Sequence, residues 1–461
     1  MGVFTQIAGL IISLSFLVFT HELGHYMFAR IFKTRVDKFY LFFNPGFSLI
    51  RMKRFNGRSH FSFFSKEAPA SWAEHPEKTE WGLGWLPLGG YCSINGMVDE
   101  TTSADELPSE PQSYEFRAKP AWQRFFIIVG GVLTNFISAI VIYAAILFIW
   151  GKEEIPLSNA TFGLQFSDVA LSAGFEDGDK IVSVDGKTTE KMSDLVMMML
   201  LDDTKEVTVN RNGELIEIPI PSDFDQQVLA SGDNTFITYN FPFVIAEISN
   251  STPASNAGLE TGDSIVSING NTYISFFGFQ RELRTNKNQE VTLELYRNHR
   301  RIEKTVQLDD SGLLGVRPKG PFDLLPTEKI EYSFFASIPA GIQTGVGQLK
   351  NYVKQFKLIA TKEGVKQLGG FGTIGSIFPK TWNWEMFWGM TAFLAIILAF
   401  MNILPIPALD GGYILFILVE MITRRKPSDK FIGYANMIGL SLLIILVLYA
   451  NGMDILRWIG K

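Results

Sequence analysis

Four stretches of this chain are apolar over a length that can cross a bilayer, and more polar sequence separates them. A transmembrane helix needs about 20 predominantly apolar residues, and the stretches at 1–28, 121–150, 386–423 and 431–450 reach that length. Two prolines interrupt the third stretch, which predicts a break in its helix. A cleaved signal peptide is the alternative for the first, but that stretch has no basic n-region and no small-residue cleavage site. We therefore predict a polytopic α-helical membrane protein with about four transmembrane helices.

The long interval between the second and third apolar stretches contains an internal repeat. Residues 173–186 and 257–270 are identical at nine of fourteen positions. Each copy reads as a glycine-punctuated turn, a short Ile-Val strand and an Asp-Gly or Asn-Gly hairpin turn. We predict two inserted β-rich domains, at 158–222 and 240–312. A linker and amphipathic segment at 313–385 follows them.

The interval between the first two apolar stretches, 29–120, predicts β-structure of another kind. Segments rich in Phe and Tyr alternate there with turn signals such as Asn-Pro-Gly at 44–46. These segments predict strands of a re-entrant β-structure, and an interfacial anchor is the alternative. An insertion at 65–85 adds Trp72, Trp81 and Trp85, a composition suited to a membrane interface.

Composition and charge narrow the class and predict an orientation. The mean hydropathy of +0.14 agrees with a membrane protein. The net charge of -6 gives no indication of nucleic-acid binding. A single cysteine excludes a disulfide within the chain and any Cys-rich zinc site. Residues 28–58 carry eight basic side chains and one acidic side chain, and 424–426 is Arg-Arg-Lys. The positive-inside rule places both segments on the cytoplasmic side, which puts 151–385 on the opposite face.

The first stretch ends in His-Glu-Leu-Gly-His at 21–25. On a helix, His21 and His25 lie four residues apart on one face, so both imidazoles can reach one zinc ion. Glu22 lies beside them as a general base. The motif predicts a metalloprotease site within the membrane, near the cytoplasmic end of its span.

A zinc site of this kind needs a third protein ligand, and Asp410 is the candidate. It lies within the third stretch, after the two prolines that break it, and precedes Gly411 and Gly412, which allow a sharp turn. An unpaired carboxylate at membrane depth costs roughly 2.5–3.5 kcal/mol, which a metal ion would offset. An ordinary Asp-Gly turn at the membrane surface is the alternative.

Taken together, these elements resemble the site-2 proteases, in particular the regulator of sigma-E protease subgroup with tandem PDZ domains. The resemblance rests on His-Glu-Leu-Gly-His at 21–25, on Asn-Ile-Leu-Pro-Ile-Pro-Ala-Leu-Asp-Gly-Gly at 402–412 and on the order of the elements. Shorter similarities are Leu-Pro-Leu-Gly-Gly-Tyr at 86–91 and Leu-Gly-Gly at 368–370. The inserted domains resemble PDZ domains of the bacterial protease type.

The resemblance implies roles for particular residues. His21, His25 and Asp410 would bind zinc, and Glu22 would be catalytic. Asn402, which opens the Asp-Gly-Gly segment, and Asn135, which matches a Gly-x-x-x-Asn element, would bind substrate. Helix–helix packing is the alternative role of Asn135. The family usually has Pro after the glycine of that element, whereas this chain has Val132 and should lack a kink there.

The expected activity is intramembrane proteolysis in a bacterial inner membrane. Substrates of the family are single-span proteins already trimmed outside the membrane, such as anti-sigma factors or remnant signal peptides. A re-entrant edge strand could pair with the unwound substrate, and the PDZ-like domains could bind peptide ends or act as a size filter. The alternatives are a membrane-anchored PDZ scaffold or a membrane-segment binder without protease activity.

Overall fold

The computed structural model describes residues 2–87, 89–97, 110–231, 235–359 and 361–459. Two compact units emerge: Lys152–Ile330 forms one, and the two ends of the chain together form the other. The similarity at 86–91 and the predicted β-segment at 29–120 fall partly on residue 88 and residues 98–109, which lie outside the described residues.

The N-terminal part of the first unit is a helix, a sheet and a second helix. Helix α1 (Gly2–Ile31) runs three residues beyond the predicted end of the first stretch, and helix α2 (Ala121–Ile149) follows the sheet. The strands are β1 (Val36–Leu41), β2 (Ser48–Phe55), β3 (Arg58–Ser65), β4 (Glu80–Leu83) and β5 (Tyr91–Ile94). Their order is β3-β2-β4-β1-β5, with β1 and β4 parallel and the other neighbours antiparallel. Strand β3 is therefore an edge.

Aromatic side chains dock this sheet on α1. The ring of Trp81 lies 4.9 Å from that of Tyr26 and 4.6 Å from that of Phe39. Trp72 is buried, and its carbonyl accepts a hydrogen bond from Lys53 Nζ. Trp85 is 42% exposed. The insertion at 65–85 thus contributes two tryptophans to packing and leaves one on the surface.

The second unit opens with β6 (Lys152–Glu154) and contains two β-rich domains. The first domain consists of β7 (Leu164–Phe166), α3 (Asp168–Ser172), β8 (Lys180–Val184), α4 (Met192–Leu201), β9 (Glu206–Arg211), β10 (Glu214–Pro219), α5 (Phe224–Ser231) and β11 (Ile237–Tyr239). The second consists of β12 (Phe243–Ile248), α6 (Pro253–Asn256), β13 (Ser264–Ile268), β14 (Asn271–Thr272), α7 (Phe276–Thr285), β15 (Glu290–Arg297), β16 (Arg300–Gln307) and β17 (Val316–Pro318). Helix α8 (Pro321–Leu324) and strand β18 (Glu328–Ile330) close the unit, and β18 pairs with β6.

Each domain extends past its predicted end. Strand β11 pairs with β7, and β17 pairs with β12, although the predicted domains ended at 222 and 312. Both strands are three residues long, too short to show the period-2 alternation by which strands are recognised in a sequence. For that reason the sequence pattern does not predict the last strand of each domain.

An arginine clamp is repeated in both domains. Arg211 makes two hydrogen bonds of 2.8 Å to the buried Asp179 and another to the carbonyl of Gly174. Arg297 does the same with Asp263, at 2.7 Å for both bonds, and with Gly258. A bidentate arginine satisfies each buried carboxylate, so the turn that carries the aspartate is held in place in each domain.

The C-terminal part of the first unit is helical. Its helices are α9 (Phe334–Ile359), α10 (Lys362–Lys366), α11 (Phe371–Ser376), α12 (Trp384–Ile403), α13 (Asp410–Thr423) and α14 (Asp429–Ile459). The stretch predicted at 386–423 consists of two helices, because the chain breaks at the prolines before residue 410. Among the described residues, α1, α2, α12 and α14 are long and apolar enough to cross a membrane. This confirms the predicted fold class of a helical membrane protein with inserted β-domains.

Candidate metal centre

The two histidines of α1 project together, as the spacing predicts. Their rings are 4.7 Å apart, and the two Nε2 atoms are 3.1 Å apart. His25 Nδ1 lies 2.9 Å from the carbonyl oxygen of Ile127 on α2. A carbonyl can only accept a hydrogen bond, so this contact places the proton on Nδ1 and leaves the Nε2 lone pair free for a metal.

Asp410, the first residue of α13, brings a carboxylate to the same point. Its Oδ2 is 3.2 Å from His21 Nε2 and 3.5 Å from His25 Nε2. One ligand atom from each of the three residues lies within 4.8 Å of the others. Asp410 Oδ2 is buried and has no hydrogen-bond partner in the described part of the chain. A buried carboxylate oxygen beside two imidazole nitrogens is a donor set that fits zinc.

Glu22 lies on the turn that carries the two histidines. It is half-buried, and its carboxylate lies near the backbone of Cys92 on β5. Glu22, the candidate general base, is therefore positioned by helix α1 and also lies beside the sheet. A carboxylate beside a site with three protein ligands has the placement of a general base for an activated water.

Glycines let α1 and α2 cross at the metal ligands. A Cβ on Gly24 would lie 2.2 Å from the carbonyl oxygen of Gly130. A Cβ on Gly131 would lie 2.5 Å from His25 Nε2 and 2.7 Å from His21 Cε1. Neither distance is compatible with a side chain. The Gly-x-x-x-Asn spacing identifies Gly131 as part of a motif, and the structure adds that this glycine makes room for the imidazoles.

Asn135 is one turn further along α2 and is almost fully buried. Its Oδ1 accepts a hydrogen bond of 2.9 Å from Thr20 Oγ1, directly before His21 in sequence. Its Nδ2 is buried without a partner among the described residues. An amide donor left unpaired in a buried position is costly unless a ligand uses it. Helix α2 is continuous through Val132, as expected from the missing proline.

Asn402 is in the last turn of α12, eight residues before Asp410. It is half-buried, and the described structure records no side-chain hydrogen bond for it. Its amide is therefore available to a ligand, and among the described residues no hydrogen bond joins it to the three metal-ligand candidates.

The loop between α12 and α13 sets the position of Asp410. Ala408 has a φ of 74°, a left-handed conformation that costs an L-residue roughly 1–2 kcal/mol. Its N–H donates to Asn436 Oδ1 on α14 at 3.2 Å. A Cβ on Gly411 would lie 1.9 Å from the carbonyl oxygen of Leu404, so the loop folds tightly onto the start of α13. The glycines after Asp410 are needed for this approach, beyond the turn that the sequence predicts.

This chain is similar to known proteins along most of its length. The model of peptidase family M50 matches residues 9–65 and 66–446. A protein of Ralstonia nicotianae whose name proposes a zinc metalloprotease is 24% identical over 477 residues, which cover 97% of this chain and 97% of that protein. The regulator of sigma E protease of Haemophilus influenzae is 25% identical over 479 residues, which cover 98% of this chain and 99% of that protein. A solved PDZ domain of an SdrC-like protein from Listeria monocytogenes aligns with 18% of this chain and 90% of its own, at 21% identity and a TM-score of 0.16.

Proposed function

The chain belongs to peptidase family M50 and is a metalloprotease of the site-2 type, and we propose that His21, His25 and Asp410 hold its zinc inside the bilayer. The observation that carries this proposal is the convergence of three ligand atoms from two distant segments within 4.8 Å. Three protein ligands leave the fourth position of a tetrahedral ion for water and substrate, as catalytic zinc sites require. Relatives named as zinc metalloproteases agree with this metal.

The residues around the ligands have distinct tasks in peptide hydrolysis. When bound, zinc supplies Lewis-acid chemistry to the attacking water and the scissile carbonyl. Glu22 takes one proton from that water as oxygen bonds to the carbonyl carbon. It then passes the proton to the amine nitrogen as the C–N bond breaks. Asn135 Nδ2 donates to the substrate carbonyl oxygen, and Asn402 contacts the unwound substrate backbone.

The test is cleavage of a model single-span protein by the purified full-length chain. Glu22→Gln should lower the cleavage rate about 100-fold or more, since general acid–base catalysis contributes about 10²–10⁴-fold. The same variant should still bind one zinc, because Glu22 is not a ligand. Glu385→Gln, an exposed glutamate at the start of α12, is the matched control and should cut like the wild type. Equal rates for Glu22→Gln and wild type, or a wild type that binds no zinc, would show that the proposal is wrong.

The charge pattern supports an orientation for this site. From the basic side chains at 28–58 and 424–426 we propose that the active site lies near the cytoplasmic side of a bacterial inner membrane, with the PDZ-like domains outside. Reporter fusions after residue 426 and within 152–330 should give opposite signals. The same signal from both would contradict this orientation.

The proposed location of the site within the membrane supports a substrate class. A helical substrate must be unwound before its peptide bonds are exposed, since a helix satisfies its own backbone hydrogen bonds. Pre-trimmed single-span proteins, such as anti-sigma factors or signal-peptide remnants, fit this requirement. The relative named regulator of sigma E protease supports this class.

Substrates with progressively larger extracytoplasmic domains should be cut more slowly if the PDZ-like domains act as a size filter. Cleavage rates that do not depend on the size of that domain would exclude this filtering role.

A further inference from the structure

Helix α14 reaches the loop that carries Asp410 through one polar side chain. Asn436 Oδ1 accepts the N–H of Ala408 at 3.2 Å, and Asn436 Nδ2 donates to the hydroxyl of Tyr413 at 3.1 Å. Ala408 is two residues before Asp410, and Tyr413 is three residues after it. One amide thus joins the two sides of the candidate zinc ligand.

The contact matters because the loop has a backbone conformation that its own sequence disfavours. Ala408 is left-handed without being glycine, so the surrounding contacts must hold it there. Its N–H also needs an acceptor, since an unpaired backbone donor at membrane depth is costly. The side chain of Asn436 meets both requirements at once.

The backbone of α14 comes just as close to the same loop. A Cβ on Gly439, one turn after Asn436, would lie 1.9 Å from the carbonyl oxygen of Pro407. Much of the rest of α14 is exposed in this unit. The helix is therefore held at the Asp410 loop by a specific contact, rather than by extensive packing.

We propose that Asn436 is a positioning residue for zinc binding: it fixes the left-handed turn at Ala408 and thereby the direction of the Asp410 carboxylate. This inference rests on the proposed zinc site. The hydrogen bonds of Asn436 go to Ala408 and Tyr413 rather than to the three metal-ligand candidates, so it acts through the loop. Outer partners of a metal ligand typically change metal affinity or activity by about 10- to 100-fold.

The experiment compares two asparagines of the same helix. Asn451 accepts the N–H of Phe371 and donates to the carbonyl of Val447, away from the Asp410 loop. Asn436→Leu and Asn451→Leu therefore make the same chemical change in α14, with different partners. We would measure the zinc dissociation constant of each full-length variant in detergent by competition with a chromophoric chelator. The unfolding temperature of the zinc-free protein is the second readout.

Asn436→Leu should weaken zinc binding about tenfold or more, whereas Asn451→Leu should bind zinc like the wild type. Asn436→Gln, which keeps an amide on a longer side chain, should recover part of the affinity. Wild-type affinity in Asn436→Leu would overturn the proposal, as would equal losses in both leucine variants with equally lowered unfolding temperatures. A wild type without zinc affinity would instead refute the zinc site itself, so the two failures are distinguishable.

Discussion

The two sides of the metal centre are built in different ways. The histidine side is a crossing of two continuous helices, α1 and α2, at glycines that bring backbone against backbone. The aspartate side is an irregular loop with a left-handed alanine, held by an amide from a third helix. Helical periodicity is enough to place the two histidines, whereas Asp410 depends on contacts between segments distant in sequence. We therefore expect substitutions on the histidine side to disturb the metal centre through steric clashes. Substitutions on the aspartate side should disturb it by misplacing the Asp410 carboxylate.

The largest effect is expected from Gly131→Ala, on the histidine side. The added methyl group would lie 2.5 Å from His25 Nε2, so an imidazole must leave its position. We expect little zinc in the purified variant and a loss of cleavage of about 100-fold or more. Zinc content by elemental analysis and cleavage of the model substrate check this. Gly389→Ala is the matched control, because a Cβ on Gly389 in α12 meets nothing within 4 Å. A fully active Gly131→Ala variant would mean that the helices can separate freely at the crossing.

A smaller effect is expected from Gly439→Ala, on the aspartate side. The methyl group would meet the carbonyl of Pro407 and push α14 away from the loop. Because helices in a bilayer can shift, we expect zinc affinity to fall about tenfold rather than to vanish. The zinc dissociation constant is the measurement. Gly433→Ala on the same helix has open space around its Cβ and should bind zinc normally. Equal zinc affinities of Gly439→Ala and Gly433→Ala would show that α14 does not position Asp410.

The smallest effect is expected from Thr20→Val, which tests whether polar contacts also hold the histidine side. The variant removes the hydrogen bond to Asn135 and leaves the glycine crossing intact. Cleavage should slow by roughly two- to tenfold, the net contribution of one hydrogen bond, with zinc content unchanged. Ser15→Ala, which removes a hydrogen bond within α1 itself, is the control. Loss of zinc from Thr20→Val would show that a polar contact also holds the histidine side, as one does the aspartate side.

The sequence predicted what depends on local spacing. His21 and His25 lie four residues apart, and a helix turns that spacing into a shared face. The prolines before Asp410 predicted the break between α12 and α13. The regulator of sigma-E protease resemblance, which the comparisons confirm, added the pairing of these two distant motifs.

Other features lie beyond single-sequence reasoning, because they arise when distant segments meet. In the sequence, nothing distinguishes Asn436 from an ordinary polar residue in an apolar helix. Gly131 is typical of close helix packing, but its partner could not be identified as the imidazoles. The packing roles of Trp72 and Trp81 are likewise not evident from the sequence, since tryptophans suit a membrane interface equally well.

The pairing of β6 with β18 has a consequence for modularity. Lys152 is opposite Ile330, so the inserted unit begins and ends on neighbouring strands, whose spacing is about 4.8 Å. A two-residue hairpin turn can bridge such a gap. The unit is thus a cassette: removing it or exchanging it for another would require little change in the chain that continues on either side.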